Sequence, residues 1–361
     1  MTQTSSTGQA GADYHVEGDD TEIAALLDGH WYDAVAALLQ RATSARGDLP
    51  YARELATAAK RVLDLDAEDF GQIASGFDEP WAKRLAQCCF PQEPRGQERG
   101  ALGSLVPLYE LMLEVLDLRA QRHEPLQIVV TAHLLGEYLC QLAWESVLGH
   151  GGDPLRMRDS VGERWGVDDE VCPHSSALRA TARRSLNACH GDRAGYTAYL
   201  DRFHSRLGDA FAVCAMNHET VGAGARPDVG ETCATPCSWA VRGTLEERRD
   251  LDARVRLALL YVDSPIVALR HHAPVGHFFG VPSVAEISEA WVRTWERVSA
   301  QWNDGANPLL AEDAPSDFPE GEALPGMSAL VSAVAGRKVG AGRVIRDIGV
   351  DVGRALKRTL E

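Results

Sequence analysis

Lysine and arginine are missing from the first twenty residues. With no basic start leading into an apolar run, a secretory signal is not expected there. The stretch is rich in Ser, Thr, Gly and Asp and reads as unstructured. Cysteine is sparse and irregularly spaced, eight in 361 residues, which falls short of a disulfide scaffold and suits reduced, mostly buried thiols. Aromatic residues make up only 7% of the chain. Ala, Leu, Arg and Glu recur instead in long apolar-periodic stretches, which favours helix over strand. The most apolar run, 128–148, is interrupted by His133, Glu137, Gln141 and Glu145, so a lipid-spanning helix is not expected and a cytoplasmic protein is. Bases are in deficit, 36 against 52 acids for a net charge of −16, which argues against nucleic-acid binding by the body of the chain. Phosphate-binding loops, nucleophile elbows, His-Glu-x2-His and a strand-borne Gly-x-Gly-x2-Gly are all absent, which argues against nucleotide hydrolysis and simple ester hydrolysis.

What is there predicts a mainly α protein: a multi-helix globular body with long irregular loops and a tethered C-terminal amphipathic helix. Residues 1–20 form the N-terminal stretch, 21–90 a lobe of short helices, and 91–100 (PQEPRGQERG) a polar linker. Residues 101–302 form a helical core domain. It opens with two long helices, 102–122 and 126–149, whose short turn at His123-Glu124-Pro125 makes them antiparallel. The second is apolar all round and is the candidate central helix. Residues 150–174 and 217–242 read as long loops. Thr244 with Glu247, and Ser283 with Glu286, are capping boxes that start two further helices. The second of these carries Ile287, Trp291, Trp295, Val298 and Trp302 along one face, a core stripe.

Four constellations could carry chemistry. Glu110, Glu114 and Asp117 share one face of the first long helix, and His133 and Glu137 lie one turn apart on the second. Reflecting the hairpin about its turn sets Glu114 opposite His133 and Glu110 opposite Glu137, a donor set for a divalent transition metal or a general base. The competing reading is a solvated acidic stripe beside a buried His–Glu pair. Cys172, His174, Cys233 and Cys237, with Cys189, His190 and His218, offer thiolates and imidazoles for a structural zinc, or else are free groups in loops. Arg184 and His190, at the end of a helix, have a spacing that resembles the Arg-x4-6-His motif of the HEPN ribonucleases. That resemblance implies a helical dimer cleaving RNA through 2′-hydroxyl attack; Ser185 stands where that family usually has Asn, His or Asp. His271, His272 and His277 flank a Pro-Val-Gly turn beside Phe278 and Phe279, and could line a pocket or close a rigid loop.

The C-terminus reverses the charge. Residues 303–326 hold six acids, four prolines and no base, and read as an extended, self-repelling linker. Residues 327–361 hold seven bases against three acids. Wound as one helix, they place Met327, Leu330, Val331, Ile345, Ile348, Val352 and Leu356 on one side and Arg346 and Arg354 on the other. Five glycines weaken that helix in isolation, so it is expected to form on contact. The expected function is a non-enzymatic scaffold or adaptor that engages a protein partner through this helix, with docking on its own body as the competing fate and a membrane surface third. The alternative is a helical enzyme with a carboxylate/His metal or acid–base centre, or a HEPN-like ribonuclease.

Overall fold

The computed structural model describes residues 19–41, 48–90, 103–162, 165, 177–189, 207–208, 210, 244–273, 280–303, 306–318 and 320–358. Among these the chain is helical, with no strand. In order the helices are α1 (Asp19–Asp28), α2 (Tyr32–Arg41), α3 (Leu49–Leu63), α4 (Phe70–Ser75), α5 (Pro80–Gln87), α6 (Val106–Gln121), α7 (Pro125–Glu137), α8 (Leu139–Leu148), α9 (Pro154–Val161), α10 (Ala177–Cys189), α11 (Leu245–Val262), α12 (Pro265–His272), α13 (Val284–Val298), α14 (Met327–Ala335) and α15 (Val344–Arg358). The chain divides into two compact units: Met1–Asp64 with Ile345–Glu361, and Leu65–Val344. The division therefore falls at Asp64–Leu65, not in the 91–100 stretch, and the C-terminal helix belongs with the N-terminal ones.

In the first unit the apolar stripe of α3 (Leu55, Ala56, Ala59, Val62) is fully buried, as are Val35 of α2 and Ile345, Ile348 and Val352 of α15. Tyr32 of α2 donates its hydroxyl to the Ile345 carbonyl at 3.2 Å. Gly349 lies under the same ring, where a Cβ would come within 2.6 Å of the hydroxyl. Local chemistry also sets the helix starts: Pro occupies the first or second position of α3, α5, α6, α7 and α12, where its missing N–H costs nothing.

The second unit is built around the hairpin of α6 and α7. His123 takes φ 55° at the turn, Arg119 and Arg122 pair with Glu124 at 2.6 and 2.8 Å, and the Tyr109 hydroxyl donates to Leu135 O at 2.7 Å. The expected helix over 126–149 is two helices, α7 and α8, interrupted at Tyr138 (φ −115°). Taken together, Pro125–Leu148 is long and apolar enough to cross a membrane, but 61% of its most apolar window is buried inside the protein. Residues Leu139–Glu145 of α8 are all buried, and α8 packs on α11 and α14. Both capping boxes are formed, Thr244 with Glu247 and Ser283 with Glu286. The α13 stripe faces the core, with Ile287, Trp291 and Val298 buried and Trp295 and Trp302 packed at its edge.

Two expectations about the C-terminus are corrected. Residues 327–361 are not one helix: Gly336 takes φ 66° and ends α14. Ser332 then pins the connection, its hydroxyl donating to Val339 O at 3.0 Å and accepting from Val339 N at 2.8 Å. The apolar set is divided accordingly, Met327, Leu330, Val331 and Val334 going into the second unit and Ile345, Ile348 and Val352 into the first. The acidic stretch is not a free linker either, because its backbone is fastened to α6, α13 and α14 by the bonds described next.

Candidate functional site

Residues 306–318 and 320–326 form a bow between α13 and α14. At one end Asn307 donates its amide to Val298 O at 2.7 Å and Ala300 O at 2.8 Å, and its Oδ1 accepts from Leu309 N at 3.0 Å. At the other, Asp117 of α6 accepts from Ala323 N at 2.9 Å and the Trp291 indole donates to Pro325 O at 3.2 Å. Glu322 accepts from Gly326 N at 2.7 Å and Ser328 N at 3.1 Å, placing a carboxylate on the positive end of the α14 dipole. Fastened at both ends, the bow borders an open cleft of about 650 Å³ against α13 and α14. Trp295, Leu309, Leu310, Pro315, Phe318 and Ala329 supply apolar surface, and Glu312, Glu320 and Glu322 supply carboxylates. Leu310 is 46% exposed, and Glu312 and Glu320 are exposed. Beside the cleft, the Lys338 ammonium sits 5.5 Å from the Phe318 ring centroid and 3.5 Å from Asp317 Oδ2.

The helix-pair residues are not brought together. Glu110, Glu114 and Asp117 face the C-terminal segment. Glu110 O accepts from Gly342 N at 2.8 Å, a Cβ on Gly342 would lie 3.5 Å from Glu114 Oε2, and Asp117 binds Ala323 N. Burial raises the Glu110 carboxyl above its ordinary range, opposed by the charges of Arg337 and Arg84. His133 and Glu137 pair with each other instead, Nε2 to Oε1 at 3.0 Å, and Arg270 of α12 closes on the same ring nitrogen. Glu137, His133 and Arg270 thus form one cluster where α7 meets α12. Among the described residues no three His, Cys, Asp or Glu side chains form a metal-binding group. The hairpin reflection matched axial levels, but level does not determine rotation about each helix axis.

Arg184 is exposed on α10 and donates to Thr181 Oγ1 at 3.0 Å; His190, its partner in the ribonuclease-like pair, lies outside the described residues. So do Cys172, His174, Cys233 and Cys237, and with them the zinc reading, and His277. Cys189 donates to Ser185 O at 3.1 Å, and burial pushes its thiol up to about 12. Of the residues expected to meet a partner, Ile345, Ile348 and Val352 are fully buried, a correction to their reading as a docking face. Leu356 and Arg346 are half-buried, and Arg354 is exposed and pairs with Asp351 at 2.8 Å.

Several polar residues that matter to the fold gave little warning in the sequence. Arg254 is buried, pairs with Asp250 at 2.9 Å and donates to Ser146 Oγ at 3.3 Å and Ala335 O at 3.4 Å, so it joins α11 to the ends of α8 and α14. Its signal was a charge between Leu251 and Ala258 on an apolar stripe. Glu145 accepts from Ser104 Oγ at 2.6 Å, Leu105 N at 2.8 Å and Arg337 at 3.0 Å. His150 is 1% exposed and its Nδ1 accepts from Gly152 N and Asp153 N at 3.1 and 2.9 Å. Phe318, Leu309 and Leu310 lie in a stretch whose composition reads as a linker; apolar side chains inside an acidic, proline-rich stretch are the signal that it packs.

Compared with protein families, with curated proteins and with solved structures, the chain matches none.

Proposed function

We propose that this protein is a non-enzymatic scaffold or adaptor that holds a segment of a protein partner in the cleft between α13, α14 and residues 309–318 and 320–326. The observation that carries this reading is the cleft itself: an apolar floor of half-buried Trp295, Leu309 and Phe318 with the exposed Leu310, on a backbone fastened at both ends. Pockets of roughly 300–1,000 Å³ with mostly apolar linings are the usual form of a binding site. A pre-formed site also loses little ordering entropy on binding. The partner surface thus moves from α15, whose aliphatic side is sealed, to the bow in front of α14.

Peptide selection against the immobilised full chain tests the reading. Ala329 lines the cleft, so Ala329→Trp fills it without changing charge. Selected peptides should bind the wild type and lose binding to Ala329→Trp, with circular dichroism showing an unchanged helical signal. Equal binding to both would place the partner site elsewhere.

A further inference from the structure

We propose that the cleft's occupant is a basic segment of the partner, one in which lysine or arginine side chains alternate with aliphatic ones. The inference rests on the cleft being the partner site and adds the chemistry of what enters it. Three features of the bow agree. It carries six acids and no base over 303–326, and Glu312 and Glu320, both exposed, stand on the cleft wall. An anionic segment entering there would strip water from those carboxylates and meet like charge, whereas a cation offsets the same loss of water by Coulomb attraction. The half-buried Trp295 and Phe318 add ring faces, which attract ammonium and guanidinium groups through the aromatic quadrupole.

The protein also displays the interaction in its own chain. Lys338 places its ammonium over Phe318 and against Asp317, so the rim already holds a cation between a ring and a carboxylate. That internal lysine is loosely kept: its side chain is 55% exposed and that of Asp317 is fully exposed, and exposed pairs of this kind are weak. A lysine or arginine from the partner can therefore take over the Phe318 face while its aliphatic neighbours settle against Leu309, Leu310 and Pro315. The net charge of −16 draws such a segment in from a distance.

Fluorescence anisotropy on the full chain tests this with three short labelled peptides of equal apolar content, alternating Leu with Lys, Ser or Glu. The Leu-Lys peptide should bind roughly tenfold more tightly than Leu-Ser, and Leu-Glu more weakly than either. Glu312→Gln with Glu320→Gln, both at exposed positions, should bring Leu-Lys down to the Leu-Ser level, and Lys338→Met should strengthen Leu-Lys binding severalfold. If Leu-Ser and Leu-Lys bind equally and Ala329→Trp abolishes both, the basic occupant is refuted while the cleft stands. If Leu-Lys binding survives Ala329→Trp, the attraction is general to the acidic surface and the inference is overturned. Absence of binding by all three peptides overturns both readings.

Discussion

A single absent Cβ shapes one wall of the cleft. Gly326 takes φ +88°, and a Cβ there would lie 2.3 Å from the Trp295 ring. Gly326→Ala must therefore meet both left-handed backbone strain and an indole that has to move. It should lower the unfolding free energy by about 2–3 kcal/mol in urea and shift the tryptophan emission. His150 makes a separate case. Burial holds its imidazole down at about 4, helped by the nearby charge of Arg156, whereas in the unfolded chain it titrates near the ordinary value of about 6.5. Between those values the unfolded state binds the extra proton, so stability rises with pH across the window. The contribution is complete above about 6.5 and is lost as pH falls towards 4, about 3 kcal/mol in all. His150→Leu should flatten that slope in urea titrations while lowering stability at neutral pH by about 1–3 kcal/mol, because Gly152 N and Asp153 N lose their acceptor. An unchanged slope would place the titrating group elsewhere.

At the scale of elements, the two C-terminal helices separate a docking face from a core face. Leu330 of α14 and Ile348 of α15 are each 0% exposed, so each truncation to alanine should cost about 2–5 kcal/mol in chemical denaturation of the isolated chain. A face reserved for a partner would leave stability unchanged in Ile348→Ala, so this measurement decides between the reading of α15 as a recognition helix and its place in the first unit. Periodicity told correctly which residues of α13 and α15 share an apolar face. It could not tell which neighbour covers that face, and so took the α15 stripe, which is internal, for a surface. The carboxylates of α6 show the same limit: their shared face was legible from i, i+4 spacing, yet it meets residues 323–342 and not His133.

For the whole molecule, chain length sorts the two units. A chain ending at Gly326 loses α14, whose residues are all buried except Ala329, and should show no cooperative unfolding of the second unit in calorimetry. A chain ending at Arg343 keeps α14 and the Ser332–Val339 bonds but lacks α15. It should retain the second unit's transition and lose that of the first, where Tyr32 and the α3 stripe lack their cover. Retention of both transitions in the shorter chain would overturn the placement of α14 as core.

By itself the sequence determined the helical class, the capping boxes at Thr244 and Ser283, the α6–α7 turn and the inward stripe of α13, because each follows from interactions within a few residues along the chain. Only the tertiary structure decided that the aliphatic sides of α14 and α15 are buried in different units, that Arg254 joins three helices, and that an acidic, proline-rich stretch borders an open cleft with Trp295 and Phe318. Those outcomes depend on contacts between residues far apart in sequence. Composition and spacing carry no information about the rotation of one helix against another, or about which distant carbonyl an amide will find.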